Sequence, residues 1–242
     1  MKVLILGAGQ GSRLLPLTED IPKALLDIGG KRLIARQIEA FAACGLTEFV
    51  VITGYAANQM DTAHAELAND MSVTIRTVYN PFNSVADNLA SCWMARAEME
   101  EDFIQVNGDN VFRSDLVERL LAAPEHAVTA AINYKQRYDA DDMKVMLDGG
   151  RLTEIGKTLP LEAVDAEAIG IYIFRNAGAR AYRQVLERAM RDAAALKQWF
   201  PSAIGTLAKQ MEVHVAPVGD VKWCEVDFPV DLTQARQLVA EW

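Results

Sequence analysis

Residues 3–6 read Val-Leu-Ile-Leu and run straight into Gly7, Gly9 and Gly11, with Pro16 and Pro22 close behind. A short apolar run ending in alternating glycines reads as a buried strand followed by a loop whose backbone comes close to a partner. Successive free N–H groups in such a loop form a concave anion site, and Arg13 and Lys23 add two cations beside it. A polyphosphate is the ligand this arrangement predicts. The prolines also forbid an ordinary crossover helix directly behind the loop.

Two familiar phosphate loops fit this stretch poorly. A dinucleotide-binding turn needs Gly-x-Gly-x-x-Gly/Ala opening a long helix, but Ser12 stands where the third glycine would fall. A Walker-A loop needs Gly-x-x-x-x-Gly-Lys-Ser/Thr, which the stretch lacks. A plain glycine-rich turn with solvated Arg13 and Lys23 accounts for the glycines but not for the whole string from Leu6 to Leu25.

That string, Leu6-Gly-Ala-Gly-Gln-Gly-Ser-Arg-Leu-Leu-Pro-Leu-Thr18 and then Pro22-Lys-Ala-Leu25, resembles the signature of the nucleotidyltransferases that couple a nucleoside triphosphate to a phosphorylated small molecule. Gly7 replaces the usual first alanine of the signature. The resemblance implies a Rossmann-like α/β fold with a doubly wound, mostly parallel sheet and a small antiparallel lobe. It also implies that Leu6, Gly7, Ala8, Gly9, Gly11 and Ser12 line the nucleotide site. Arg13 and Lys23 then act on the triphosphate as catalytic residues.

Hydrophobic periodicity agrees with such a sheet. Apolar, β-branched runs at 48–53, 72–79 and 102–106 alternate with helical patterns at 32–44, 57–67 and 88–99, the signature of βαβ units. Ligands of such sheets bind at the carboxyl ends of the strands, so Gly7, Gly54 and Gly108-Asp109 are expected at one cleft. Beyond Pro124 strands dominate: 127–133, 143–147, a hairpin turn at Asp148-Gly149-Gly150, then 152–155 and 169–174. Helices at 178–195 and 200–210, strands at 212–218 and 222–226, and a helix at 232–241 complete the chain. A single domain over 1–242 results, with residues 1–123 as the nucleotide-binding half and 124–242 as the acceptor-binding half.

The resemblance carries further residues. Asp109, after its strand, is implied as a ligand of the catalytic Mg²⁺. Trp223-Cys-Glu-Val-Asp227 resembles the segment that supplies the second carboxylate in cytidylyltransferases of the phosphocholine type. Asp227 is the expected second ligand, with Glu225 a rival because strand alternation puts both on one face. Asp231 reads as an N-cap of the last helix. The stretch Asn80-Pro-Phe-Asn-Ser-Val-Ala-Asp-Asn-Leu-Ala-Ser91 resembles the asparagine-rich segment of phosphocholine and phosphonate enzymes. It marks Asn88 and Ser91 as nucleotide contacts, although Asp87 or Asn88 could equally be a helix cap. Lys157 survives where sugar-phosphate enzymes carry Glu-Lys-Pro, but Gly156 replaces the glutamate. Lys157, with Gly170, is therefore expected on the acceptor side, and a sugar acceptor is disfavoured.

The expected reaction is transfer of CMP from CTP to phosphocholine, 2-aminoethylphosphonate or a similar small phosphorylated or phosphonate compound, with Mg²⁺ as cofactor. A sugar- or inositol-phosphate nucleotidyltransferase is the alternative, and a catalytically silent nucleotide-binding module is the alternative of another kind. A net charge of −9 excludes a basic face for nucleic acid or an anionic membrane. Cys44, Cys92 and Cys224 are too widely spaced for a disulfide framework or a zinc site, and the first residues lack a signal-like apolar run. The protein is expected in the cytosol, as a monomer or a homodimer. His64, His126 and His214 sit in no motif and read as core or surface residues. Asp141, Asp142 and Glu167 could supply charge to an acceptor pocket; Met143, Trp93, Tyr172 and Trp223 could line a choline-like pocket through cation–π contact, although Met and aromatic residues in strands and helices are usually core.

Overall fold

A computed structural model describes residues 1–242. The first strand, β1 (Lys2–Leu6), is central and buried on both faces. Val3 and Ile5 point into one hydrophobic core and Leu4 into the other, the period-two alternation of a sheet covered on both sides. A short hairpin, β2 (Asp27–Ile28) and β3 (Lys31–Arg32), leads into α1 (Leu33–Ala42). β4 (Glu48–Thr53), α2 (Ala57–Met71), β5 (Thr74–Tyr79), α3 (Asn88–Met94) and β6 (Phe103–Asn107) follow. β7 (Asn110–Phe112) and α4 (Ser114–Ala122) come next. The second half comprises β8 (Val128–Asn133), β9 (Lys144–Asp148), β10 (Arg151–Gly156), β11 (Ala166–Phe174), α5 (Ala177–Ala189), α6 (Pro201–Ala208), β12 (His214–Pro217), β13 (Trp223–Glu225) and α7 (Pro229–Ala240).

The main sheet runs β5-β4-β1-β6-β11-β8-β12-β10-β9. β5, β4, β1 and β6 are parallel, and β11 enters antiparallel between β6 and β8. α1, α2 and α4 contribute to the core on one face, and α3, α5 and α6 to the core on the other. This is the expected doubly wound α/β fold. The antiparallel lobe of β9 and β10 continues the same sheet, because β9 also pairs with the start of β11. Gly149 and Gly150, both at positive φ, make the tight turn between β9 and β10.

Several boundaries differ from the sequence reading. The helix expected over 178–195 stops at Ala189, and the Asp192 side chain then accepts from Ala194 N at 2.9 Å to start a separate 3₁₀ turn. The last helix starts at Pro229, because proline is preorganised for the first helical position. Asp231 therefore lies inside that helix and is not its N-cap. α4, the β2–β3 hairpin and β7 were not anticipated. β13 pairs with β7 in a separate two-stranded ribbon and does not join the main sheet. No helix is long and apolar enough to cross a membrane.

Candidate active site

Leu6, Gly7, Ala8, Gly9, Gly11, Ser12, Arg13 and Lys23 all line one cleft of about 520 Å³ at the carboxyl end of β1. None of the backbone N–H groups of residues 8–12 donates to another backbone group, so they are free for an anion. At the next strand end, Gly108 sits where a Cβ would lie 2.4 Å from the Leu6 carbonyl. Only glycine lets the two strand ends approach this closely. That approach places Asp109 opposite the loop.

A ladder distant in sequence brings the second carboxylate. β13 pairs antiparallel with β7, Glu225 opposite Asn110, and Val226 N donates to the Asp109 carbonyl at 3.0 Å. The chain then turns away from the strand, and Asp231 Oδ2 accepts from the N–H groups of Asp227 (3.0 Å) and Phe228 (2.7 Å). Asp231 thus holds the backbone of Asp227. Gln37, fully buried on α1, donates to the carbonyls of Asn107 and Asn110, each at 2.8 Å, and braces the turn that carries Asp109. Neither brace is visible in a local motif.

Lys23 Nζ lies between the two carboxylates, 3.0 Å from Asp109 Oδ2 and 2.6 Å from Asp227 Oδ1. Arg13 Nη2 reaches Asp227 Oδ2 at 2.9 Å while its guanidinium covers the Phe228 ring. Burial opposes the charge on Lys23, but Asp109 and Asp227 outweigh it and hold its pKa above the ordinary lysine value. Burial likewise opposes ionisation of Asp227, and Lys23, with Arg13 and Lys157 beyond it, holds that carboxyl below its ordinary value. Glu225 shows the reverse: burial first, then Asp109, Asp227 and Glu167, push it up to about 8. The two candidate second ligands therefore differ in charge at neutral pH.

Asp109 Oδ1 is buried and has no hydrogen-bond partner, and an all-oxygen donor set suits a hard divalent cation. No cluster of three or more His, Cys, Asp or Glu side chains is arranged to hold a metal. A cation here would take two carboxylates and complete its shell with phosphate oxygens and water, the usual Mg²⁺ habit. The residues fit that ion.

The remaining expected residues divide. Asn88 and Ser91 line the cleft, but both also have structural partners: Asn88 Oδ1 accepts from Phe200 N (2.8 Å), and Ser91 Oγ accepts from Asn80 Nδ2 (3.0 Å). Asp87 occupies the N-cap position of α3, yet its side chain caps nothing. Gly54 is not at the cleft. It lies behind the loop, beside Tyr55, whose N–H donates to the Ala8 carbonyl (3.0 Å), and borders a separate hollow at the start of α2. β4 therefore supports the loop from behind instead of ending at the ligand.

Lys157 and Gly170 line a second, smaller pocket of about 190 Å³ that shares Arg13, Asn107, Asp109 and Asp227 with the first. Gly170 adopts φ +77° at an irregularity of β11, and a Cβ there would lie 2.3 Å from the Asn107 amide. It makes room for Asn107. Lys157 Nζ sits 4.7 Å above the Trp199 ring and 3.4 Å from Asp141 Oδ1. Asp142, Met143 and Tyr172 also line this pocket, whereas Glu167 lies beneath it, paired with Lys135 (2.5 Å) and Asn133 (2.9 Å). Trp93 lies under Arg96, and Trp223 packs on the core. Trp199 lines both pockets, and the sequence reading missed it. Its only signal was an aromatic just before a Phe-Pro helix start.

His64 is buried on the inner face of α2 with neither ring nitrogen bonded, and burial lowers its pKa to about 4. His126 and His214 stack on each other 3.5 Å apart. None of the three lines either pocket.

A family description, nucleotidyl transferase, matches residues 2–241. The chain is 29% identical over 97% of its length to CMP-5'-(3-aminopropyl)phosphonate synthase of Streptomyces rubellomurinus, of which it spans only 38%. It is 27% identical to CTP:phosphoglutamine cytidylyltransferase of Campylobacter jejuni, covering 96% of this chain and 98% of that one. The inositol-1-phosphate CTP transferase from T. maritima shares the fold, with a TM-score of 0.83, 20% identity and coverage of 99% of this chain and 95% of that one.

Proposed function

The chain belongs to the nucleotidyl transferase family, and from that premise we propose that it is a Mg²⁺-dependent cytidylyltransferase. In this reading it transfers CMP from CTP to a small phosphorylated or phosphonate compound, such as phosphocholine or 2-aminoethylphosphonate. The observation that carries this reading is the meeting of Arg13, Lys23, Asp109 and Asp227 beneath a loop of free backbone N–H groups. Relatives named for an aminopropylphosphonate and for phosphoglutamine support CTP and a non-sugar acceptor, as does Gly156 where sugar enzymes carry a glutamate.

An acceptor oxygen attacks the α-phosphorus of CTP, forming a new P–O bond as the bond to pyrophosphate breaks. The second pKa of a phosphate monoester is about 6, so the nucleophile is largely a dianion at neutral pH and needs no general base. The barrier lies in bringing two anions together, and positioning and charge neutralisation supply the catalysis. The loop N–H groups cradle the triphosphate, while Arg13 and Lys23 turn from the carboxylates to its oxygens. Lys157 holds the acceptor's phosphate or phosphonate. Asp109 and Asp227 would hold the Mg²⁺, which when bound neutralises phosphate charge and orients the leaving group.

The test is a panel of four nucleoside triphosphates against several acceptors, scored by pyrophosphate release. CTP with an amino- or trimethylammonium-bearing acceptor should exceed any sugar phosphate at least tenfold in kcat/KM, about 1.4 kcal/mol in transition-state stabilisation. Preference for a sugar phosphate with UTP, GTP or dTTP would refute the cytidylyltransferase reading.

A further inference from the structure

The pocket beside Lys157 contains oxygens that the chemistry above leaves unused. Tyr172 is fully buried on β11 and its Oη has no hydrogen-bond partner; Asn107 Oδ1, at the end of β6, is also buried and unpartnered. Glu225 lines the same pocket. The protein brings no donor to them. Arg13 is engaged with Asp227, and Lys157 with Asp141 and the Trp199 ring. Buried acceptors are almost always satisfied in native proteins. Asn107 Oδ1 can only accept, a carboxyl oxygen accepts, and the Tyr172 hydroxyl, which can also donate, accepts beside them; a ligand that supplies N–H groups satisfies all three.

We propose that this pocket receives the far end of the acceptor and that this end is a primary ammonium. Its three N–H groups meet Asn107 Oδ1, Tyr172 Oη and the Glu225 carboxyl. This inference rests on the cytidylyltransferase reading and narrows its acceptor class. A quaternary ammonium would need open aromatic faces. Lys157 sets a positive charge 4.7 Å from the Trp199 ring centroid, which repels a second cation there, and Tyr172 meets Phe200 edge to face, with ring centroids 5.4 Å apart and an interplanar angle of 88°. Three methyl groups in place of three N–H groups would leave every one of these oxygens unpaired. Sites built to bond an N–H or O–H reject analogues that lack it, by up to about 10⁴-fold or more.

Phosphoethanolamine and its N-methyl, N,N-dimethyl and N,N,N-trimethyl analogues carry the same phosphate and test this directly with CTP. The full chain should lose kcat/KM at each methylation, by about 10²-fold or more from the primary to the trimethyl compound. Tyr172→Phe, which deletes one hydroxyl at nearly constant volume, and Glu225→Gln should each shrink that ratio. A trimethyl compound that is accepted as well as the primary one, or a ratio that neither substitution changes, overturns the inference while CTP-dependent turnover keeps the parent reading standing. If no member of the series turns over but a sugar phosphate does, both fall.

Discussion

Replacing Lys23 with methionine separates its two attachments, to the carboxylates and to the nucleotide, in a single experiment. Two unit charges about 4 Å apart attract by ~4 kcal/mol at an effective dielectric near 20, and Lys23 makes two closer contacts, to Asp109 and Asp227. Methionine removes both attractions but also spares the cost of burying an ammonium, and one-sided loss of a buried pair typically costs ~3–5 kcal/mol. The Lys23 side chain is only 12% exposed, while the two aspartates are 26% and 23% exposed. Solvent at the carboxylates trims the cost to about 2–3 kcal/mol. For a chain of this size that is a fall in Tm of about 5–10 °C.

The lysine also holds the place where a divalent cation would sit. Without nucleotide, a metal must displace the ammonium in the wild type but not in Lys23→Met. Mn²⁺ binding, followed by electron paramagnetic resonance of the free ion, should therefore tighten about tenfold in the variant, equivalent to ~1.4 kcal/mol. Added Mn²⁺ should also restore part of the lost Tm by ordinary binding linkage. An unchanged Tm together with weaker or equal Mn²⁺ binding in Lys23→Met would refute the placement of ammonium and metal on one carboxylate pair.

Three further outcomes follow from the same geometry. Asp109→Asn keeps the Lys23–Asp227 contact, so turnover should fall about 10²-fold or more, a loss of ~2.7 kcal/mol, with a smaller Tm change than in Lys23→Met; full activity would remove Asp109 from the site. Lys157→Ala should raise the acceptor KM while leaving the CTP KM unchanged, and steady-state kinetics with each substrate varied would expose the opposite pattern. His64 titrates near 6.5 when unfolded and about 4 when folded, so the unfolded chain takes the extra proton and stability falls as pH drops from about 6.5 towards about 4. The loss approaches ~3 kcal/mol at the acid end. His64→Leu should flatten Tm against pH in that window, and an unaltered acid slope would exclude His64 as its source.

The parts of the site readable in the sequence are those encoded over short stretches. The loop from Leu6 to Ser12 and the cations Arg13 and Lys23 follow directly on a strand in one compact string, so local pattern marked them as an anion site. Asp109 and Asp227 stand where a capping or solvated carboxylate is the commoner outcome, and their resemblance to the family's motifs is what singled them out. Gly54 also follows a strand, yet β4 ends behind the loop. Sheet order, which periodicity does not encode, decides which strand ends face the ligand. Gln37 escaped notice for a related reason: it acts on carbonyls some seventy residues away, and in sequence it is one of three polar residues on its helix, with Arg36 and Glu39.

The choice between Glu225 and Asp227 shows where strand logic runs out. Alternation puts residues 225 and 227 on one face only if the strand continues through both. It does not. The ladder with β7 ends at Glu225, Val226 turns its N–H to the Asp109 carbonyl, and Asp231 takes the N–H of Asp227. The chain therefore swings Asp227 towards Arg13 and Lys23, which keep it ionised, and leaves Glu225 among buried like charges that favour its neutral form. An ionised carboxylate beside two mobile cations is suited to hold a metal and triphosphate. A buried carboxyl behind it, in the pocket with Tyr172, is suited to read the acceptor. Two acidic residues two positions apart thus meet different surroundings because a strand stops between them.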